Sequence, residues 1–163
     1  MERSGQDATL VTTKDGRRIA YLEVGDPDGP LVLHNHGGPS SRLEAGLFAD
    51  AARRHGVRFV GLDRSGIGRS SPQRDRTSAE WADGLVADAE LLYKDWAFDV
   101  TTIERPVHMW QGTDDELVPF SVNRTIGDRM PGTVWHQVEG GGHLIAIGCA
   151  DEIVAIAAEE LRR

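Results

Sequence analysis

The sequence predicts an α/β fold. An N-terminal hairpin leads into a mostly parallel sheet of about six strands with helices on both faces. Three observations predict it. After the hairpin, apolar runs of strand length alternate with amphipathic runs of helix length, and such alternation builds parallel sheets covered by helices. Glycines cluster at 37–38, 56–68 and 140–142, in loops beside predicted strands. The 163 residues are 39% hydrophobic and 27% charged, the balance of a folded globule rather than a disordered tail. That length suits one domain, 1–163.

Residues 8–14 and 18–24 read as strands, with Asp15-Gly16 as the hairpin signal between them. Leu31 to His36 reads as a buried strand stopped by Gly37-Gly38-Pro39. Residues 43–54 carry helix spacing and stop at His55-Gly56. Strands follow at 57–62, 106–111 and 133–138. Between them, a capping pattern at Thr77 or Ser78 opens a helix to about Trp96, with Trp81, Leu85, Ala89, Leu92 and Trp96 on one face. Residues 121–130 form a short helix stopped by Pro131-Gly132, and Ile147 to Arg162 a terminal amphipathic helix. The loops 36–42, 63–72, 112–119 and 140–144 all follow strands. In such sheets ligands bind beyond the strands' carboxyl ends.

Composition narrows the function. The net charge is −8, with no basic stripe, which argues against nucleic acid or an anionic membrane as partner. A single cysteine, Cys149, excludes an internal disulfide framework. The first residues lack a signal-peptide pattern, and no apolar run is long enough to span a bilayer, so a cytoplasmic location is expected.

Four segments carry the chemistry: His36-Gly37-Gly38-Pro39, Asp63-Arg64-Ser65-Gly66-Ile67-Gly68-Arg69-Ser70, Gly112-Thr113-Asp114-Asp115-Glu116-Leu117-Val118-Pro119 and Gly141-Gly142-His143. In order and position they resemble the α/β-hydrolase superfamily, and the His-Gly-Gly-Pro variant resembles its proline-iminopeptidase-like branch. The resemblance implies hydrolysis of ester, amide or peptide-like bonds in a small-molecule substrate. It implies His143 as general base, Asp115 as the acid that orients it (Asp114 if the loop register shifts by one), and a backbone N–H of Gly38 or Gly37 in the oxyanion hole. It implies no cofactor and no metal.

One part of the family pattern is missing. The nucleophile belongs on a G-x-S-x-G elbow between a strand and a helix. Ser65 has Asp63 two places before it, and Ser70 has Pro72 two places after it. Between Ser78 and Ser121 there is neither serine nor cysteine. Residues to about Asp88 resemble the helix before the elbow strand, and those from about Ala89 resemble the segment after the cap. The chain thus resembles a truncated family member, with its elbow and cap region deleted at a seam near 88–90. The strand at 106–111 is then free to pair beside the strand carrying His36. Apolar surface bared by the loss offers a homodimer contact.

Other readings of these residues are structural. His34 and His36 share a strand but lack further ligands at metal-binding spacing. Gly66-Ile67-Gly68 lacks the third glycine of a dinucleotide loop. Arg64 and Arg69 read as surface or loop-anchoring charges. Trp81, Trp96, Trp110 and Trp135 read as core, and Cys149 as packing. The function expected is therefore hydrolase by family, weak or inactive for want of a nucleophile. The alternatives are a non-catalytic remnant or binding module (a pseudoenzyme) and, less simply, cofactor-free His–Asp chemistry.

Overall fold

The computed structural model describes residues 8–71 and 98–163. They divide into two compact units: 8–71 with 150–163, and 98–149. The seam near 88–90 and the helix expected over 78–96, with Trp81 and Trp96, lie outside the described residues.

The first unit holds a four-stranded sheet in the order β1-β2-β4-β3. Its strands are β1 (Thr9–Thr12), β2 (Arg18–Gly25), β3 (Leu31–Asn35) and β4 (Arg58–Leu62). The Asp15-Gly16 turn sets the first hairpin, with Thr9 opposite Tyr21. Thr13 and Arg17 donate to the Asp15 carboxylate and hold its pKa down to about 2. β2 also runs antiparallel to β4, with Tyr21 opposite Leu62, and β3 runs parallel to β4, with Leu31 opposite Arg58. The sheet is therefore mixed rather than mostly parallel. The short turn at 26–30 does not make β2 and β3 neighbours, because β4 inserts between them.

Alternation decides which face is covered. Leu22, Val24, Val32 and Phe59 point to one side, where they meet a 3-10 helix (Arg42–Phe48), α1 (Ala49–His55) and the terminal helix. The single helix expected over 43–54 is thus two helical pieces. Ser41 caps the first through a bond from the Leu43 N–H. Phe48 stacks on Phe59 with ring centroids 5.0 Å apart. The terminal helix places Ala150, Val154 and Ala158 on one buried stripe at four-residue steps, against the alanines of α1. Its rim is tied by Asp151 to Arg54 at 2.7 Å and to His55 at 2.9 Å. β3 is the outer strand of this sheet, and its Leu31 and Leu33 are exposed.

The second unit is built on two parallel strands, β5 (Val107–Gly112) and β6 (Thr133–Val138), with Val107 opposite Thr133. The six expected strands thus form two sheets among the described residues. β5 takes β6 as its partner. α2 (Phe120–Gly127) links β5 to β6 and packs on one face, where Trp135 meets Phe120 edge-on at 5.6 Å and carries the Arg124 guanidinium at 5.5 Å. On the opposite face Trp110 lies flat on His136, 4.1 Å between centroids. The terminal helical run is split: α3 (Ile145–Gly148) belongs to this unit and α4 (Ala150–Glu160) to the first, with the half-buried, unpaired Cys149 between them. No helix among the described residues is long and apolar enough to cross a membrane.

Candidate active site

Parallel neighbours end on the same side, so the loops after β5 and β6 meet. The Thr113 N–H donates to Val138 O at 3.0 Å and the Asp114 N–H to Gly141 O at 2.9 Å. The Gly140 N–H donates to Thr113 Oγ1 at 2.8 Å. This lacing brings two of the expected residues together. His143 Nδ1 lies 3.0 Å from Asp115 Oδ2 and 3.3 Å from Oδ1.

The two partners differ in exposure in a useful way. The Asp115 side chain is 7% exposed and that of His143 is 45% exposed. The carboxylate accepts at Oδ1 from the N–H groups of Leu117 and Val118, both at 3.0 Å. The Val118 N–H, against the opposing pull of burial and with help from His143 and Leu117, holds its pKa below the ordinary carboxylate range. An ionised acceptor facing Nδ1 selects the Nδ1–H tautomer, so Nε2 is left as an acceptor, a base able to take a proton. Asp114 is exposed and takes the Thr113 hydroxyl at 3.0 Å instead, so the acid beside the imidazole is Asp115.

Beneath the pair is an open cavity of about 300 Å³, lined by Trp110, Gln111, Val118, Asn123 and Ile145 besides the two partners. Gln111 and Asn123 were not singled out in the sequence. Gln111 is 2% exposed, donates to Asp115 Oδ2 at 3.3 Å and to Val118 O at 3.1 Å, and accepts from Asn123. The one available signal was a polar residue in the inward alternation of β5, in phase with Met109.

Gly37 and Gly38 belong to the first unit and are described with it. His36, 4% exposed, places Nδ1 2.7 Å from Gly37 O, which orders the loop, and the Arg64 guanidinium reaches the same oxygen at 3.4 Å. A side chain at Gly37 would meet open space, and one at Gly38 only the end of Arg64. Below this loop Asp63 is buried. It accepts from the Arg42 N–H at 2.7 Å, the Arg42 guanidinium at 2.8 Å and the Arg69 N–H at 2.9 Å. His34 packs against both Phe48 and Phe59, 5.2 and 5.6 Å between centroids, and is bonded to Glu44 at 3.2 Å. Among the described residues no group of three or more His, Cys, Asp or Glu side chains is placed to hold a metal.

No protein-family model matches the chain. Curated relatives do. The chain is 41% identical over 91 residues to the protein named "Probable oxidoreductase EphD" of Mycobacterium tuberculosis, a match over 53% of this chain and 15% of that one. It is 31% identical over 119 residues to the bifunctional esterase/perhydrolase DCH of Acinetobacter calcoaceticus, over 72% of this chain and 40% of that one. It is 35% identical over 85 residues to the proline iminopeptidase of Xylella fastidiosa, over 51% of this chain and 26% of that one. The chain thus spans well under half the length of each. Among solved structures, an α/β-hydrolase fold protein from Chitinophaga pinensis superposes with a TM-score of 0.71 at 12% identity, over 96% of this chain and 98% of that one. An esterase from Exiguobacterium antarcticum gives 0.66 at 13% identity, over 96% and 100%. Those identities speak for the fold alone, and with the sequence relatives they make the chain a member of the α/β-hydrolase superfamily.

Proposed function

We propose that the chain is a hydrolase-type domain whose working group is the His143–Asp115 pair, acting on ester or related acyl bonds with low turnover. The observation that carries this reading is the 3.0 Å contact between a half-exposed imidazole and a nearly buried carboxylate at the mouth of a cavity. The esterase and peptidase names among the relatives favour the same class of bond. Among the described residues no hydroxyl or thiol bonds Nε2 of His143, and 79–120 hold no serine or cysteine. Water is then the nucleophile. Nε2 takes a proton from water as its oxygen adds to the carbonyl carbon. The imidazolium, steadied by Asp115, returns that proton to the leaving oxygen as the carbon–oxygen bond breaks.

The serine-free stretch also favours a second reading, a pseudoenzyme from which the elbow and cap have been deleted. Serine hydrolases stripped of triad members keep about 10³–10⁴-fold acceleration over water from binding and the oxyanion hole, so a residual rate is measurable. A fluorophosphonate probe is expected to leave the protein unlabelled while p-nitrophenyl acetate is hydrolysed above the buffer rate. His143→Ala is expected to remove that excess. Stoichiometric labelling at a serine would refute the water mechanism, and a rate unmoved by His143→Ala would leave the non-catalytic reading.

A further inference from the structure

Gln111 sits where β5 alternation calls for an apolar side chain, yet its amide is buried and fully engaged. Its Nε2 faces three acceptors, Val118 O at 3.1 Å, Asp115 Oδ2 at 3.3 Å and Gly112 O at 3.3 Å. Its Oε1 accepts from Asn123 Nδ2 on α2. Turned over, the amide would set its oxygen against two carbonyls and a carboxylate, and would face the Asn123 donor with another donor. Asn123, together with the two backbone carbonyls, therefore fixes which end of the amide meets the acid. The two carboxylate oxygens are held differently. Oδ1 is gripped by two backbone N–H groups, whereas Oδ2, the oxygen nearest His143, has the Gln111 amide as its donor besides the imidazole itself.

We infer that Gln111, with its amide orientation set by Asn123, is a positioning residue for the His143–Asp115 pair, holding Oδ2 where it accepts the Nδ1 proton of His143. Its significance for turnover rests on the dyad reading above; its geometry does not. A neutral donor suits the task, because it orients the carboxylate without cancelling the charge that the imidazolium needs. Removing the amide frees Oδ2 to rotate about the anchored Oδ1, and the imidazole then loses its reason to keep the proton on Nδ1.

The test is the tautomer of His143 in the full chain, read from imidazole ¹⁵N–¹H correlation spectra with the ring neutral. The unaltered protein is expected in the Nδ1–H form. Gln111→Leu is expected to shift the ratio toward Nε2–H by about tenfold, the scale of one lost hydrogen bond to a charged group. Asn123→Leu is expected to do so partially, and Asp115→Asn at least as strongly. Trp135→Leu, which loosens the same unit away from the pair, lowers the melting temperature and leaves the tautomer alone. An unchanged tautomer in Gln111→Leu, where Asp115→Asn moves it, overturns the inference; so does a shift in Trp135→Leu as large as in Gln111→Leu. If Gln111→Leu does not fold, Asn123→Leu decides. Should every variant share one ester-hydrolysis rate while the tautomer moves as expected, the dyad reading fails and the positioning role stands.

Discussion

Asp63→Ala is expected to destabilise the first unit by about 3–5 kcal/mol, the cost of breaking a buried ion pair and stranding its partner. Domains as a whole are stable by about 5–15 kcal/mol, so the variant approaches unfolding. The reason lies in what Asp63 gathers. Its carboxylate takes two backbone N–H groups, from Arg42 and Arg69, and the guanidinium of Arg42, which is itself 7% exposed. Its carbonyl takes the Ser70 hydroxyl, whose oxygen takes the Ala20 N–H. One side chain thus joins the start of the 3-10 helix, the end of β4 and the glycine loop. Gly68 belongs to the same knot. Its φ is +55°, and a Cβ there would lie 2.1 Å from Asp63 Oδ2. Arg42→Met is expected to cost less than Asp63→Ala, since both backbone donors keep their acceptor.

The pH dependence follows from the same contacts. Burial pushes the Asp63 carboxyl up, but the Arg69 and Arg42 N–H groups and the Arg42 guanidinium outweigh it and hold its pKa below the ordinary value. A carboxyl depressed in the folded state contributes stability in full above its unfolded value, near 3.9, and loses it as pH falls through the folded one. Urea melts followed by circular dichroism should show the gap between the unaltered protein and Asp63→Ala constant from pH 7 to 5 and narrowing below pH 4. A variant within 1 kcal/mol of the original at pH 7 would contradict this account.

Strands were legible because each is a short apolar run bounded by turn residues: β4 is Arg58-Phe59-Val60-Gly61-Leu62, between Gly56 and Asp63. Sheet membership was not legible, because pairing is set by tertiary contact and a strand's own residues carry little of it. The fourth strand in the chain slid between the second and third, and nothing in their composition says so. The 3-10 segment was read as α because Leu43, Leu47 and Phe48 fit helical spacing, yet Leu43 and Leu47 are exposed and the buried side is Arg42, Ala45 and Phe48. At the site, Asp115 and His143 were singled out by motif position. Gln111, Asn123 and the anchoring role of Asp63 carry no such motif, and their roles show only once folding sets Asn123 on Gln111 and Arg42 on Asp63.

Gly112→Ala should dismantle the candidate site, and Gly142→Ala, one residue beyond the same lacing, should not. A Cβ on Gly112 would stand 2.0 Å from Gly141 O, 2.4 Å from Gly141 C and 2.8 Å from Gly142 O. All three are backbone atoms, so no rotamer change relieves the clash. Relief requires the loops after β5 and β6 to part, which breaks the bonds Thr113 and Asp114 make to Val138 and Gly141. Those bonds are what hold Asp115 within 3.0 Å of His143. Overpacking costs about 1–3 kcal/mol where side chains can adjust; with backbone on both sides, about 3 kcal/mol is the expected loss. A Cβ on Gly142 meets nothing within 4 Å, so its replacement should stay within about 0.5 kcal/mol, as surface changes do. The same added methyl group thus separates two explanations of the glycine cluster. If the glycines merely loosen the loop, the two variants behave alike. If close approach of two strand ends builds the dyad, Gly112→Ala alone lowers the melting temperature, drives His143 from the Nδ1–H tautomer and brings ester hydrolysis down to the rate of His143→Ala.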